Sequence, residues 1–249
     1  MAALRRADQQ LLVRFRSAGK GKRSSPRGAP FCNRLSIDIA VDLRTRFGGA
    51  RNQGARPTCM AFAASDTHSF VRSTTDFLSA EYAHYSARRR LPPLNPDAGV
   101  PMSLMIDAIR DEGQPREEGW PYLTVAPSLS SAWAPPADCG ELFRHAFVEQ
   151  PPDIANVHAA LDAGRPAILG VRITLQFYLP PADRIIRAVA NDPIVANHAL
   201  VAVGHGTNSG DALVLVRNSW GDSWADFGYA WLTKDYLAPR ILRIAVPST

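Results

Sequence analysis

Three side chains in this 249-residue sequence have the types and the order needed for nucleophilic chemistry: Cys59, His198 and Asn218. A thiol becomes a strong nucleophile when a neighbouring base, usually a histidine oriented by a third polar group, removes its proton. Cys59 follows Thr58 at the predicted start of a helix, where unpaired backbone N–H groups favour a thiolate. A single cysteine is more often buried and structural, so the other two residues decide between these interpretations.

The choice of base depends on which of the six histidines has a polar partner. Four lie in predicted helices or loops without an accompanying polar residue: His68, His84, His145 and His158. His205 lies in the turn-rich residues 204–211, whereas His198 stands just before the apolar run ALVAVG, and Asn218 ends the next run, LVLVR. Antiparallel pairing of these runs would let Asn218 orient the imidazole of His198, with Trp220 shielding their hydrogen bond from water.

Apolar periodicity divides the chain into a helical part followed by a β-rich part. It predicts helices at residues 59–75, 79–90, 102–112 and 157–164. Thr58 is the predicted N-cap of the first helix, and Arg88, Arg89 and Arg90 are predicted to form a solvated cluster at the end of the second. Short strands are predicted within residues 165–173, 198–204, 212–218 and 228–232. The order predicts an α+β fold, with residues 126–138 crossing between its halves.

The basic charge of the chain is concentrated at its N-terminus. Residues 1–30 carry eight Lys or Arg and one acid, so the rest of the sequence is slightly negative although the whole chain is +5. We therefore expect no nucleic-acid partner for the folded part. Residues 1–30 are predicted to be a flexible basic tail, with an amphipathic helix at 4–16 that would bind an acidic partner or a membrane surface, or simply act as a solubilising tail.

Five blocks of the sequence share the order and character of one enzyme family. They are VDLRTRFGGARNQGARPTCMAFA, LSAEYAHYSARRR, AGVPMSLMIDAIRDEGQPREEGWPYL, NHALVAVGHG and LVLVRNSWGDSWADFGYAWL. Together, from about residue 41 to about residue 235, they resemble the papain/cathepsin-like (C1) cysteine peptidases. The 139-residue separation of Cys59 and His198 is within the roughly 130–150 residues typical of that family.

The resemblance implies a papain-like α+β fold of two subdomains with the active-site cleft between them. Residues 31–125 would form the helical left subdomain with Cys59, and residues 126–249 the β-barrel-like right subdomain with His198 and Asn218. It also implies peptide-bond hydrolysis through a thioester acyl-enzyme, without a metal or a cofactor. The candidate substrate contacts near the second specificity pocket are Gly99, Pro101, Asn197 and Ala199.

The same resemblance assigns a role to each candidate site residue. Cys59 would be the nucleophile, and His198 would act first as general base and then as general acid. Asn218 would orient the imidazole and Trp220 would shield it. Gln53, six residues before the cysteine, would donate its side-chain amide to the oxyanion together with the backbone N–H of Cys59.

The sequence departs from the family pattern at several positions around the cleft. Arg56 stands where the family has a half-cystine, and the expected partner region PLNPDAG contains no cysteine, so the usual disulfide is not expected. Met60 replaces a tryptophan, Ala98 replaces the first of two glycines, and Asn197 replaces a frequent acidic residue. The residues before the predicted fold are also too few for the family's long inhibitory propeptide.

Peptide hydrolysis by a bacterial-type enzyme is the leading interpretation, and two alternatives remain open. One is a specialised maturation, acyl-transfer or effector protease with a single protein target, and the other is a catalytically silent papain-like binding module. The sequence has no run of about 18 apolar residues and no Sec signal peptide. With three cysteines, it is expected to act in the cytoplasm or to be exported by a route that does not use a Sec signal.

Overall fold

In the computed structural model, which describes residues 37–74, 76–127 and 132–249, helices dominate the first part of the chain and strands the second. The helices are α1 (Cys59–Val71), α2 (Ala80–Arg89), α3 (Met102–Asp111), α4 (Ile154–Asp162), α5 (Leu175–Tyr178) and α6 (Lys234–Leu237). The strands are β1 (Asp38–Asp42), β2 (Phe147–Gln150), β3 (Ala167–Thr174), β4 (Ile185–Ile186), β5 (Ile194–Asn208), β6 (Asp211–Arg217), β7 (Tyr229–Thr233) and β8 (Ile241–Pro247). The α+β prediction is confirmed.

The strands form one mostly antiparallel sheet in the order β2-β8-β3-β5-β6-β7-β4, and β1 also pairs with β5. One face of this sheet packs against α1 and α3, and the other face encloses a second core with α4. Because β1 precedes all the helices yet belongs to the sheet, the sheet draws on both predicted subdomains. The predicted boundary between residues 125 and 126 stays a prediction.

The segment between His198 and Asn218 is more regular than the sequence indicates. The predicted turn at 204–211 is wrong in extent, since β5 continues to Asn208 and β6 starts at Asp211. The turn is only Ser209 and Gly210, both with positive φ, which is the conformation that a two-residue hairpin requires. Gly204 and Gly206 are needed inside the strand because β1 passes too close to leave room for a β-carbon.

Three predictions about the helices need correction. Thr58 occupies the N-cap position of α1 without capping it, because its hydroxyl instead bonds to the hydroxyl of Tyr122 at 2.8 Å. Arg88 is buried rather than solvated, since its guanidinium donates to the carbonyls of Gly99, Leu91 and Pro93. The helix predicted at 157–164 begins earlier, where Asp153 caps the backbone N–H of Ala155.

Several predicted features fall outside the described residues. They are the basic tail, its helix at 4–16, and Cys32. The predicted crossing segment is described except at residues 128–131. Its Trp133 is buried and donates Nε1 to the Glu81 carboxylate at 2.6 Å, so this part of the segment is anchored to α2.

A buried carboxylate, Asp66 on α1, joins three distant parts of the chain. It accepts a hydrogen bond from Arg51 at 3.0 Å and another from Arg217 at 2.7 Å, and all three side chains are almost fully buried. Arg217 also donates to the backbone carbonyls of residues 48 and 49. Because buried charges are stable only when they are paired, each member of this cluster requires the others.

We expect Asp66→Asn to lower the free energy of unfolding by about 3–5 kcal/mol, because it leaves the buried Arg217 without a described counter-charge and leaves Arg51 with only Glu117 at 3.3 Å. Urea denaturation measures the change. The matched control is Asp76→Asn, which removes an exposed carboxylate from an ion pair with Arg116 and should change stability by about 1 kcal/mol or less. Equal losses in the two variants would contradict the role given to Asp66.

Candidate active site

Cys59 begins α1, and its side chain is half-buried beside β5. Burial raises the pKa of the Cys59 thiol above its ordinary value, and hydrogen bonds from the backbone of Ala199, Met60 and Cys59 itself lower it in part. Burial therefore opposes the predicted thiolate, while the backbone N–H groups at the start of the helix favour it. The hydrogen bond from Ala199 nevertheless places the thiol beside the residue that directly follows His198.

His198 on β5 and Asn218, directly after β6, meet as the antiparallel pairing predicts. Nε2 of His198 lies 2.7 Å from Oδ1 of Asn218. The same Oδ1 accepts the backbone N–H of Ser219 at 2.8 Å, which identifies it as the oxygen of the amide. Nε2 must therefore donate its proton, and Nδ1 remains as the basic nitrogen of the neutral ring.

Aromatic rings enclose this imidazole. The centroid of the Trp220 ring lies 4.8 Å from that of His198, Tyr178 stacks on Trp220 at 4.9 Å, and Phe177 lies 6.0 Å from the imidazole. Burial lowers the pKa of His198 to about 4, an effect that the hydrogen bond with Asn218 partly reverses. Trp224 packs in the core next to Trp220.

Gln53 is connected to this group through Ser219, a residue for which no role is predicted. Oε1 of Gln53 accepts the Ser219 hydroxyl at 2.6 Å, and Nε2 donates to the carbonyl of Arg56 at 2.8 Å. An amide nitrogen has two protons, so one remains for an incoming oxyanion. No local pattern signals this contact, because the two residues are 166 positions apart.

The candidate substrate contacts lie on two walls. Gly99 and Pro101 are exposed just before α3, on the helical side. Asn197 and Ala199 lie on β5, where Asn197 is exposed and Ala199 is buried with its backbone against the Cys59 thiol. Of these four residues, Ala199 is the one whose backbone influences the pKa of the Cys59 thiol.

An ionic network lies where the resemblance would place a disulfide that this sequence lacks. The Arg56 guanidinium binds the buried Glu81 carboxylate at 2.6 and 3.0 Å and donates to the backbone carbonyls of Leu123 and Pro96. Pro96 belongs to the region where the family places the second half-cystine. The sequence marks Arg56 as unusual but does not indicate its partner, because Glu81 lies 25 residues away on another helix. The two described cysteines, Cys59 and Cys139, are free.

The prediction that four histidines lack polar partners is wrong for two of them. His68 bonds to Gln114 at 2.8 Å, and His84 bonds to the carbonyl of Pro96 at 3.2 Å. Burial, more than any other cause, lowers the pKa of His68 to about 4 and that of His84 to about 3. Both are buried in the core with one ring nitrogen hydrogen-bonded and the other without a partner among the described residues, and both lie outside the candidate site. His158 stacks on the ring of His205, with a centroid distance of 4.8 Å.

The part of the chain that the structure describes has neither a cluster of metal ligands nor a membrane-spanning helix. No group of three or more His, Cys, Asp or Glu side chains there is arranged to hold a metal ion. None of its helices combines the length and apolar character required to span a bilayer.

Two solved structures share this fold over nearly the whole chain. Xylellain, a cysteine protease from Xylella fastidiosa, has a TM-score of 0.73 at 21% identity, covering 92% of this chain and 94% of that one. Digestive procathepsin L 3 from the larval midgut of Tenebrio molitor has a TM-score of 0.66 at 18% identity, covering 97% of this chain and 79% of that one. The fold is therefore the papain-like α+β fold, with a helical N-terminal part and an antiparallel β-sheet part.

Sequence comparison points to the same group. Residues 148–241, which include His198 and Asn218, match the model of the papain family cysteine proteases. The chain is 22% identical over 206 residues to a cysteine protease of Blomia tropicalis, covering 78% of this chain and 60% of that protein. It is 51% identical over 39 residues to cysteine proteinase 3 of Entamoeba histolytica, covering 16% of this chain and 13% of that protein. The chain thus spans less than two thirds of these relatives. The chain has the papain-like fold over the described residues, and its sequence is similar to the papain family over residues 148–241.

We expect stability to fall as the pH drops below about 6.5. The unfolded chain protonates its histidines near that pH, whereas burial keeps His198 and His68 neutral to about 4 and His84 to about 3. Their contribution is present above pH 6.5 and is lost as the pH falls towards the folded-state pKa values. His198→Gln should make the slope of unfolding free energy against pH shallower by about 1.4 kcal/mol per unit between pH 6 and 5. An unchanged slope would contradict a buried neutral imidazole.

Proposed function

We propose that the protein is a cysteine peptidase that hydrolyses peptide bonds through Cys59, His198 and Asn218. The observation that carries the proposal is the 2.7 Å contact of His198 Nε2 with Asn218 Oδ1, because it leaves Nδ1 basic beside the strand that contacts the Cys59 thiol. The papain-like fold and the family match over residues 148–241 support the same assignment.

The acylation step begins with attack of Cys59 Sγ on the carbonyl carbon of the scissile bond. The thiol proton passes to Nδ1 of His198, and the carbonyl oxygen becomes an oxyanion. The backbone N–H of Cys59 is in the first turn of α1, where it has no partner within the helix, so it is available to bind that oxygen together with Nε2 of Gln53. The C–N bond then breaks, and His198 returns its proton to the leaving amine.

Deacylation uses the same groups in the reverse order. Water attacks the thioester carbonyl and gives a proton to Nδ1 of His198, after which the C–S bond breaks and the thiol regains its proton. Asn218 contributes by holding the ring with Nδ1 exposed, and the Trp220 ring limits competition by water for that hydrogen bond. Peptide or protein chains are the substrates that this chemistry accepts.

The first experiment is cleavage of a general peptide library, together with labelling by a thiol-directed epoxide peptide. We expect hydrolysis and one label per protein, on Cys59. Cys59→Ala should abolish both activities. The matched control is Cys139→Ala, because Cys139 is the other free cysteine of the described chain and should be dispensable.

The possible results of this experiment separate the candidate functions. Labelling without cleavage of any library peptide would favour a specialised protease with one protein target. If the natively folded protein neither cleaves peptides nor becomes labelled, the peptidase assignment fails and a papain-like binding module is favoured.

We expect Gln53→Ala to lower kcat by about 10²–10³ with a much smaller change in KM, because it removes a donor that acts on the transition-state oxyanion. Ser219→Ala should cause a smaller loss of kcat, since it only releases Oε1 of Gln53. Steady-state kinetics on one cleaved peptide measure both effects. A Gln53→Ala variant with unchanged kcat would exclude this oxyanion site.

A further inference from the structure

The face of the sheet next to the Cys59 thiol is covered by helices at one end and open at the other. Ile168, Val201 and Ala245, from three adjacent strands, lie on this face in the core formed with α1 and α3. Side chains two positions further along a strand point to the same face. On β3, the next two positions on this face after Ile168 are Gly170 and Arg172. They lie towards the open end of the face.

Gly170 marks the place where the helical cover ends. It pairs with Ala199 on β5 and with Arg243 on β8. A β-carbon at Gly170 would lie 3.8 Å from the terminal methyl of Met102 on α3 and 3.6 Å from the β-carbon of Arg243. With no side chain at Gly170, the sheet forms a shallow floor beside the residue whose backbone contacts the Cys59 thiol.

The next position along this face carries an arginine with no counter-charge. Arg172 pairs with Asn197, is exposed, and forms no ion pair or side-chain hydrogen bond with any residue that the structure describes. Arg243 is also largely exposed, at 60%, and is paired with a single carboxylate, Glu149, at 2.9 Å. Residues diagonal to each other on adjacent strands lie about 7–8 Å apart, within reach of two long side chains. The two guanidinium groups can therefore approach one ligand.

We propose that this niche, formed by Gly170, Met102, Ala199, Arg172 and Arg243, binds an acidic side chain of the substrate. The inference rests on the proposed peptidase function and adds a substrate class to it, namely peptides with Asp or Glu close to the scissile bond. A carboxylate above the Gly170 floor would accept charge-assisted hydrogen bonds from Arg172 and would compete with Glu149 for Arg243.

The two faces of β5 determine which side of the scissile bond carries this acid. His198 points to the face with Trp220 and Phe177, opposite to that of Asn197 and Ala199. The imidazole must reach the leaving nitrogen, so the leaving part of the substrate lies on the His198 side. The niche is on the other face and therefore takes a residue of the acyl part, on the amino-terminal side of the bond.

The test uses fluorogenic peptides with a coumarin amine leaving group, in which each of the three residues before the bond is varied between Glu and Gln. Glu and Gln have the same shape and differ in charge. We expect one position at which Glu raises kcat/KM about tenfold over Gln, because hydrogen bonds to a charged group are the stronger ones. Asp against Asn at that position should show the same sign.

Variants identify the groups responsible. Arg172→Ala and Arg243→Ala should each reduce the Glu/Gln ratio, and the double variant should bring it close to one. Glu149→Gln should increase the ratio, since it frees Arg243 from its counter-ion. The matched control is Arg184→Ala, another exposed arginine without an ion pair among the described residues, which should leave the ratio unchanged. Thermal unfolding confirms that each variant is folded.

A second measurement separates failure of this inference from failure of the proposed function. The Cys59→Ala protein should bind the Glu peptide more tightly than the Gln peptide in a fluorescence anisotropy titration, whether or not the wild type hydrolyses either one. Hydrolysis of both peptides at equal rates, with equal binding, would overturn the niche while the peptidase assignment stands. A Glu preference that persists in the double variant would also overturn it.

Discussion

The charge cluster around Asp66 is the constraint on which the rest of the structure depends. One carboxylate on α1 holds Arg51 from the segment before the helix and Arg217 from the end of β6. These three segments carry the candidate site residues Gln53, Cys59 and Asn218. The proposed nucleophile, oxyanion donor and orienting amide are therefore joined by two buried ion pairs rather than by continuous secondary structure. Because such pairs are stable only when complete, the helical and β parts of the site are fixed together.

A second ionic contact stabilises the wall of the cleft. In the family that the chain resembles, a disulfide stabilises this wall. Arg56 and Glu81 are buried, and together they bind the backbone near Pro96 and Leu123 and the indole of Trp133. This contact is independent of redox state, so the wall does not require an oxidising compartment to form. The floor of the proposed niche is left to the sheet, where Arg172 and Arg243 supply its positive charge.

The parts of the site that are close in the hairpin could be predicted from the sequence, and the parts that depend on distant polar pairs could not. His198 and Asn218 end or begin neighbouring apolar runs, so strand pairing alone brings them together. No sequence pattern predicts the ion pairs of Asp66. Its position fits the helical periodicity of α1, and its partner Arg217 is 151 residues away. The same holds for Glu81 and Ser219. The burial that raises the pKa of the Cys59 thiol is also not visible in the sequence, because it follows from tertiary packing that the helix position does not reveal.

The central claim is that Cys59 forms a covalent acyl intermediate with the help of His198. Its most direct test is intact-mass analysis of the protein, acid-quenched during turnover of a peptide ester, followed by peptide mapping. We expect one acyl group, bound as a thioester to Cys59, and no such adduct in the His198→Gln protein. An acyl group on another residue, or hydrolysis that proceeds with no adduct in either protein even in the first turnover, would contradict it.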